Sequence, residues 1–208
     1  MKRLIIIGGK APSSISLDLS EYSAVIAADS GYDTACDLGI TITDAVGDFD
    51  STSRREELMK MGFVPCSHDK DYTDTELAVM KGEGDYDLIG GGEGRIDHTL
   101  DLISMMRRLG APAVWYMASD TVVRIDGPVE VSLPPGAGVS FFSLSGKKTA
   151  VRSEGLIWEL DGFPLSDMAV SLSNRSEQGC FRIFPSGTLM MRVDPEVYPQ
   201  CRFSPIAL

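Results

Sequence analysis

Short apolar runs alternate with helical patterns along the first 120 residues. Each run is bounded by turn or polar residues, as buried strands are, and the runs cover residues 3–7, 24–28, 44–47, 86–89 and 113–117. The clearest helical pattern is Ile96–Leu109, where apolar residues keep helical spacing at positions 96, 100, 103, 106 and 109. Shorter helices are predicted over 32–38, 53–61 and 73–81, the second with Ser53 and Glu56 at capping-box spacing. This alternation predicts an α/β fold with a mostly parallel N-terminal sheet flanked by helices.

The pattern changes near residue 120. Helical periodicity ends, and β-rich runs separated by turn residues follow at 121–125, 129–133, 139–144, 156–160, 169–172, 180–184 and 189–193. Such spacing is typical of a small antiparallel sandwich or barrel. We therefore predict two domains, an α/β domain over residues 1–120 and a C-terminal antiparallel β-sandwich domain over residues 121–208.

The charge of the chain is unevenly distributed. Its 208 residues carry 30 acidic and 19 basic side chains, and residues 29–101 hold 18 of the acids with only 6 of the basic residues. This balance argues against a protein that grips nucleic acid or an anionic membrane. The apolar run Leu4–Ile7 is too short for a signal peptide or a membrane span. The four cysteines form no CxxC pair, so we expect a cytoplasmic protein with reduced thiols.

The sequence GDFDS follows the third predicted strand. An extended Asp48-x-Asp50 would place both carboxylates on one side and Phe49 on the other, in apolar packing. Neighbouring carboxylates repel each other unless a cation lies between them, and Mg²⁺ suits such oxygen ligands. The alternative is an Asx turn that caps the next helix.

Two further polar clusters stand at predicted helix starts. In DKDYTD, Asp71 and Asp74 are three residues apart and can point to one spot, although Asp74 also suits an N-cap. In GGGEGRIDHT, the glycines between a strand and a helix let backbone N–H groups approach a phosphate, and Arg95 adds a bidentate phosphate ligand. The loop lacks the Walker A pattern, and a flexible turn is the alternative. Together the three clusters predict metal-dependent phosphoryl transfer.

In this order, the motifs resemble those of the thiamine pyrophosphokinase family. The resemblance covers roughly residues 4–193 and is carried by ADxG at 28–31, LGI at 38–40, GDFDS at 47–51, DxDxTD at 69–74, GGEGRIDH at 91–98, FSLSG at 142–146, GLxW at 155–158 and SxSN at 171–174. It implies transfer of the pyrophosphoryl group of ATP to thiamine, which gives AMP and thiamine diphosphate. It also implies Mg²⁺, a C-terminal domain that binds thiamine and forms the dimer interface, and a homodimer with active sites at that interface.

The resemblance also implies roles for individual residues. Mg²⁺ would be held by Asp48, Asp50 and Asp74. The nucleotide would be bound by Gly9, Asp29, Gly91, Gly92, Gly94, Arg95 and His98. Thiamine would contact Asp97, Ser171, Ser173 and Asn174, and the catalytic residues would be Asp71, Arg95 and Asp97, with Asp71 or Asp97 as the general base.

Two positions depart from the family pattern. Ser30 stands where the family often has glycine, and Lys70 stands between the acids of DxD where it often has glutamine. Lys70 is in a position to touch an ATP phosphate directly or to change the substrate preference. Two other functions fit part of the sequence. One is a haloacid-dehalogenase-like Mg²⁺-dependent phosphatase with Asp48 as nucleophile, and the other is a non-catalytic nucleotide-sensing module.

Overall fold

The fold is taken from a computed structural model, which describes residues 1–146, 148–166 and 169–207. The chain divides into two compact units, Met1–Ala118 and Ser119–Leu208. Within the described residues, no helix is long and apolar enough to cross a membrane.

The first unit is built on a parallel sheet. Its five strands are β1 (Lys2–Ile6), β2 (Tyr22–Ala28), β3 (Asp44–Val46), β4 (Tyr86–Ile89) and β5 (Val114–Tyr116), in the order β5-β4-β1-β2-β3. The helices are α1 (Gly31–Asp37), α2 (Arg55–Lys60), α3 (Asp74–Met80) and α4 (Ile96–Leu109), with a 3₁₀ turn at Leu19–Glu21. Strands β1 and β4 are almost wholly buried, as continuous apolar runs in a covered parallel sheet should be.

The second unit is an antiparallel sandwich. One group of strands has the order β10-β8-β12-β6 and the other β13-β7-β11-β9. The strands are β6 (Thr121–Ile125), β7 (Val129–Ser132), β8 (Gly138–Phe142), β9 (Val151–Glu154), β10 (Ser171–Arg175), β11 (Cys180–Pro185), β12 (Leu189–Val193) and β13 (Arg202–Pro205), with a 3₁₀ turn at Tyr198–Gln200. Phe141 from one group packs edge to face on Phe181 from the other, in a core both groups share. The predicted fold class is confirmed.

Two local predictions were wrong. Residues 156–160 form no strand; Leu156 and Leu160 are buried, but their segment is a turn region after β9. Ser53 does not cap α2, because its hydroxyl donates a hydrogen bond to Asp33 instead. The helix predicted over Ile96–Leu109 is present as α4, and its apolar residues are only partly buried.

The stripe on α4 begins outside the core. Ile96 is 72% exposed and Leu100 59% exposed, whereas Leu102, Met105 and Met106 are buried. The first turn of α4 therefore stands at the surface, and the helix enters the core only beyond it.

Candidate active site

The loops that follow four neighbouring parallel strands meet at one edge of the sheet. The register pairs Ala28 of β2 with Val46 of β3, so the residues after them, Asp29 and Gly47, are also neighbours. The backbone N–H of Asp29 donates to the carbonyl oxygen of Val46 at 2.8 Å. The loop after β4 lies against the loop after β1, where Lys10 pairs with Gly92. Ligand sites of open α/β sheets form at this carboxyl edge.

A cavity of about 600 Å³ opens at this edge. It is lined by all seven residues predicted to bind nucleotide, Gly9, Asp29, Gly91, Gly92, Gly94, Arg95 and His98, and also by Asp74 and Asp97. The glycines allow the two loops to touch: a Cβ on Gly90 (φ +98°) would lie 2.3 Å from the carbonyl oxygen of Ile7. Lys10 and Glu93 add an ion pair of 2.6 Å across the same loops.

Carboxylates gather beside the cavity in two overlapping groups. Asp29, Asp48 and Asp74 each place an oxygen within 4.8 Å of the others, and Asp48, Asp50 and His68 form a second group of the same size. Asp48 belongs to both groups, Asp50 lies in the group with His68, and Asp74 lies in the group with Asp29. Carboxylate oxygens are donors that Mg²⁺ prefers, whereas an imidazole nitrogen also suits softer divalent ions.

A glycine makes the close approach of these carboxylates possible. Gly47 has φ +138°, and a Cβ there would lie 3.1 Å from Cβ of Asp29 and 3.2 Å from Cγ of Asp74. Both distances are tighter than most Cβ contacts, and the positive φ favours glycine, so any other residue here would strain the backbone and push the two acids apart.

The geometry of GDFDS differs from the extended one we predicted. Strand β3 ends at Val46, and Phe49 has φ +59°, so the segment is a turn. Phe49 is fully buried, as predicted. The backbone N–H of Asp50 donates to Oδ1 of Asp48 at 3.3 Å, which is the Asx turn of the alternative interpretation, although that turn does not cap a helix. The turn and the proximity of the carboxylates coexist.

Asp29 gives the clearest indication that these acids can bind a cation. Its Oδ1 is buried and has no hydrogen-bond partner among the described residues. Burial raises the pKa of this carboxyl and the neighbouring Asp74 raises it further, against hydrogen bonds from Ser51 and Ser30 that lower it. A divalent ion would satisfy that oxygen and relieve the repulsion between the acids. The residues present therefore fit the metal that the motifs predict.

A histidine and a lysine flank the carboxylates. Nδ1 of His68 lies 2.6 Å from Oδ2 of Asp48, and Nζ of Lys70 lies 2.7 Å from Oδ1 of Asp74. Burial by itself would raise the pKa of Asp48, but hydrogen bonds from His68 and the Asp50 backbone and the charge of Lys70 outweigh it, so that pKa lies below its usual value. His68 was not among the predicted site residues, since it stands outside the motifs named above.

A capping box at the N-terminus of helix α3 fixes the position of Asp74 beside the cavity. Thr73 is the N-cap: its hydroxyl accepts from the Glu76 backbone, and Oε2 of Glu76 accepts from the Thr73 backbone at 2.8 Å. Arg108 also donates to Glu76. Burial would raise the pKa of Glu76, but the bonds to Thr73 and Arg108 hold it below its usual value. The alternative in which Asp74 itself is the N-cap is therefore wrong.

The three residues predicted to be catalytic differ in setting. Arg95 and Asp97 line the cavity and form a bidentate ion pair, and this hydrogen bonding lowers the pKa of Asp97. Asp71 is exposed on the segment before α3 and does not belong to the cavity lining. Asp101, one turn beyond Asp97, also lines the cavity; burial raises its pKa, and the charge of Glu76 adds to this. Its i, i+4 spacing from Asp97 was the signal that could have found it.

The predicted thiamine contacts of the second unit lie on β10. Ser171 is half-buried and Ser173 is exposed with φ +56°. Asn174 is buried, and its amide holds the backbone of Trp158: Nδ2 donates to the carbonyl oxygen at 2.7 Å and Oδ1 accepts from the N–H at 3.3 Å. Trp158 itself is 54% exposed. In this structure Asn174 therefore positions the Trp158 segment.

Comparison with known proteins agrees with the motifs. Residues 17–114 match the family model described as thiamin pyrophosphokinase, catalytic domain. A thiamine pyrophosphokinase of Bacillus subtilis (strain 168) is 32% identical over 118 residues, which are 51% of this chain and 55% of that protein. The predicted resemblance to the thiamine pyrophosphokinase family is confirmed. This chain thus aligns with only about half the length of that curated relative.

Solved structures extend the likeness of fold over nearly the whole chain. A thiamin pyrophosphokinase family protein from Enterococcus faecalis superposes with a TM-score of 0.71 at 18% identity, over 93% of this chain and 99% of that one. Thiamin pyrophosphokinase from Candida albicans gives 0.68 at 16% identity, over 93% and 88% of the two chains. Thiamine pyrophosphokinase from Bacillus subtilis gives 0.66 at 21% identity, over 92% and 99%. At these identities the likeness establishes the fold.

Proposed function

We propose that this chain is an ATP-dependent diphosphotransferase that converts thiamine and ATP to thiamine diphosphate and AMP. The observation that carries the proposal is that the three polar clusters meet at one cavity, with a group of carboxylate oxygens beside it. A phosphatase of the haloacid-dehalogenase type uses the GDFDS acids alone. The convergence of all three clusters supports the transferase instead.

Different residues would bind the metal, the nucleotide phosphates and thiamine. We propose that Asp48, Asp50 and Asp74 hold Mg²⁺, with Asp29 as a further oxygen ligand. The bound metal would neutralise the triphosphate and orient its β-phosphorus. The glycine loops and Arg95 would hold the nucleotide phosphates, and residues of β10 would contact thiamine.

The transfer itself is a single in-line displacement. The hydroxyl oxygen of thiamine forms a bond to the β-phosphorus of ATP. The bond from that phosphorus to the oxygen bridging to the α-phosphorus breaks, AMP leaves with that oxygen, and the hydroxyl proton is released. Such a transfer depends on positioning and on electrostatic stabilisation of the phosphoryl oxygens. The acidic surroundings also favour the positive thiazolium ring of thiamine.

The test is product analysis with purified protein, ATP, Mg²⁺ and thiamine. We expect AMP and thiamine diphosphate in equal amounts, and no product when a chelator removes the metal. Release of inorganic phosphate independent of thiamine, with a phosphoaspartate trapped on Asp48, would support the phosphatase instead. Binding of ATP without turnover would support the sensing module.

The metal assignment has its own test. Asp50→Asn should reduce Mg²⁺-dependent AMP production by at least tenfold, and Asp48→Asn should reduce it more, because Asp48 belongs to both carboxylate groups. Near-wild-type turnover of both variants would refute the assignment. Asp18→Asn is a suitable control, since Asp18 is exposed and caps a 3₁₀ turn elsewhere in the unit.

We also propose a homodimer that acts in the cytoplasm. Exposed apolar side chains occur in both units, such as Ile96 and Leu100 in the first and Trp158 and Leu172 in the second, and contact with a second copy would bury them. The four cysteines are free thiols, which suits a reducing compartment. Light scattering coupled to gel filtration tests the assembly, and a monomer at micromolar concentration would refute it.

A further inference from the structure

Lys70 lies among the carboxylates that we assign to the metal. Its Nζ donates to Oδ1 of Asp74 at 2.7 Å and lies 3.8 Å from Oδ2 of Asp48. It also donates to Sγ of Cys66 at 3.4 Å, and its side chain is only 18% exposed. The ammonium group therefore contacts two of the three acids in the group formed by Asp29, Asp48 and Asp74.

An ammonium ion and a divalent cation cannot use these oxygens together. Asp29, Asp48 and Asp74 bring three negative charges, and Lys70 neutralises one of them. A divalent ion bound to the same oxygens would lie within a few ångströms of the lysine charge, and like charges at that distance repel strongly. Binding of the metal therefore requires that Lys70 move.

The cavity beside the carboxylates offers Lys70 a second position for its ammonium group. Its partner Asp74 lines the cavity in which we place the nucleotide, so a rotation of the flexible lysine stem carries the ammonium from the acids toward the phosphates. A lysine is a compact point charge that suits a phosphate oxygen.

We propose that Lys70 is an internal cation that occupies the metal-binding carboxylates, is displaced by the divalent ion, and then binds the triphosphate. The last step rests on the proposed function, whereas the competition between lysine and metal does not. Lys70 thereby couples the two ligands, because each metal ion that binds releases a positive charge for the nucleotide.

The test measures both ligands on Lys70→Met, without thiamine and without turnover. In the nucleotide-free protein, Mn²⁺ titrated under paramagnetic resonance should bind at least tenfold tighter than in the wild type, equal to about 1.4 kcal/mol. At saturating Mn²⁺, the unreactive analogue α,β-methylene-ATP should bind at least fivefold weaker in calorimetry. These opposite changes distinguish a displaced lysine from one that only supports the fold.

Two variants serve as controls. Lys81→Met removes a lysine with a similar 2.7 Å ion pair, to Asp44, and should leave Mn²⁺ affinity unchanged. Lys70→Arg keeps the charge and should stay within about threefold of the wild type. If Lys70→Met does not fold, Lys70→Gln is measured in the same way.

Each outcome is decisive. Mn²⁺ binding that is unchanged or weaker without the Lys70 charge overturns the competition. Nucleotide binding that is unchanged overturns the transfer of Lys70 to the phosphates. Failure of the wild type to make AMP from ATP and thiamine would refute the proposed function and leave the metal titration to be judged by itself.

Discussion

Replacement of Gly47 by alanine tests whether the carboxylates need the glycine that separates them. The new Cβ would lie 3.1 Å from Cβ of Asp29 and 3.2 Å from Cγ of Asp74, and φ is +138°. A non-glycine residue in such a conformation lowers the free energy of unfolding by about 1–3 kcal/mol. For a unit of this size that corresponds to a fall in Tm of roughly 4–12 °C. The two acids can avoid the methyl group only by moving, so the metal site should suffer as well.

The control for this variant is Gly39→Ala. Gly39 also has a positive φ, +67°, but a Cβ there meets nothing within 4 Å. Its replacement therefore adds backbone strain without crowding. Both variants should lower Tm in scanning calorimetry, but only Gly47→Ala should weaken Mn²⁺ binding, by at least tenfold, and reduce AMP production with it. Wild-type affinity for Mn²⁺ in Gly47→Ala would refute the reasoning.

Three further variants test the surroundings of the site. Glu76→Gln should lower the free energy of unfolding by about 1–2 kcal/mol at neutral pH. Because the pKa of Glu76 is depressed in the folded state, the difference in Tm from the wild type should be largest above about pH 5 and disappear as the pH falls through that pKa. A difference in Tm that does not depend on pH contradicts this. Asn174→Ala should lower Tm and change Trp158 fluorescence, since it frees that backbone; an unaltered spectrum argues against a positioning role. Asp101→Asn should lower kcat more than Asp97→Asn, because the raised pKa of Asp101 makes it the better base, and the reverse order sinks that idea.

Local sequence signals predicted the regular elements well where burial was continuous. The strand at 86–89 and the helix at 96–109 have the predicted bounds, because their ends are marked by glycines that stop each pattern. The face of α4 was harder to predict. Periodicity gives the spacing of apolar residues but not which of them meets the sheet, and the first turn of α4 lies at the surface with Ile96 and Leu100 exposed.

The candidate site was predictable in its members but less so in its contacts. Every residue predicted to bind nucleotide lines the cavity, since the ends of parallel strands share one edge. The extended conformation predicted for GDFDS was wrong, because Phe49 adopts a positive φ that an alternating pattern does not indicate. The places of His68 and Lys70 beside Asp48 depend on how a loop folds back, and no local pattern encodes that.

The acidic central third of the chain contains two kinds of carboxylate. Some are neutralised within the fold: Asp87 is fully buried and pairs with Lys2 at 2.7 Å, and Asp44 pairs with Lys81 at the same distance. The acids at the carboxyl edge of the sheet are different, since Asp48 and Asp74 share Lys70 and one buried oxygen of the neighbouring Asp29 has no partner among the described residues. Three negative charges and one positive charge leave this cluster with a net charge of −2. Under the proposal for Lys70, a divalent cation that displaces the lysine supplies two positive charges to these acids, and the released lysine charge becomes available to the phosphates of a nucleotide. The acidic surplus that argues against nucleic-acid binding thus suits the proposed site, where a nucleotide would bind together with its metal.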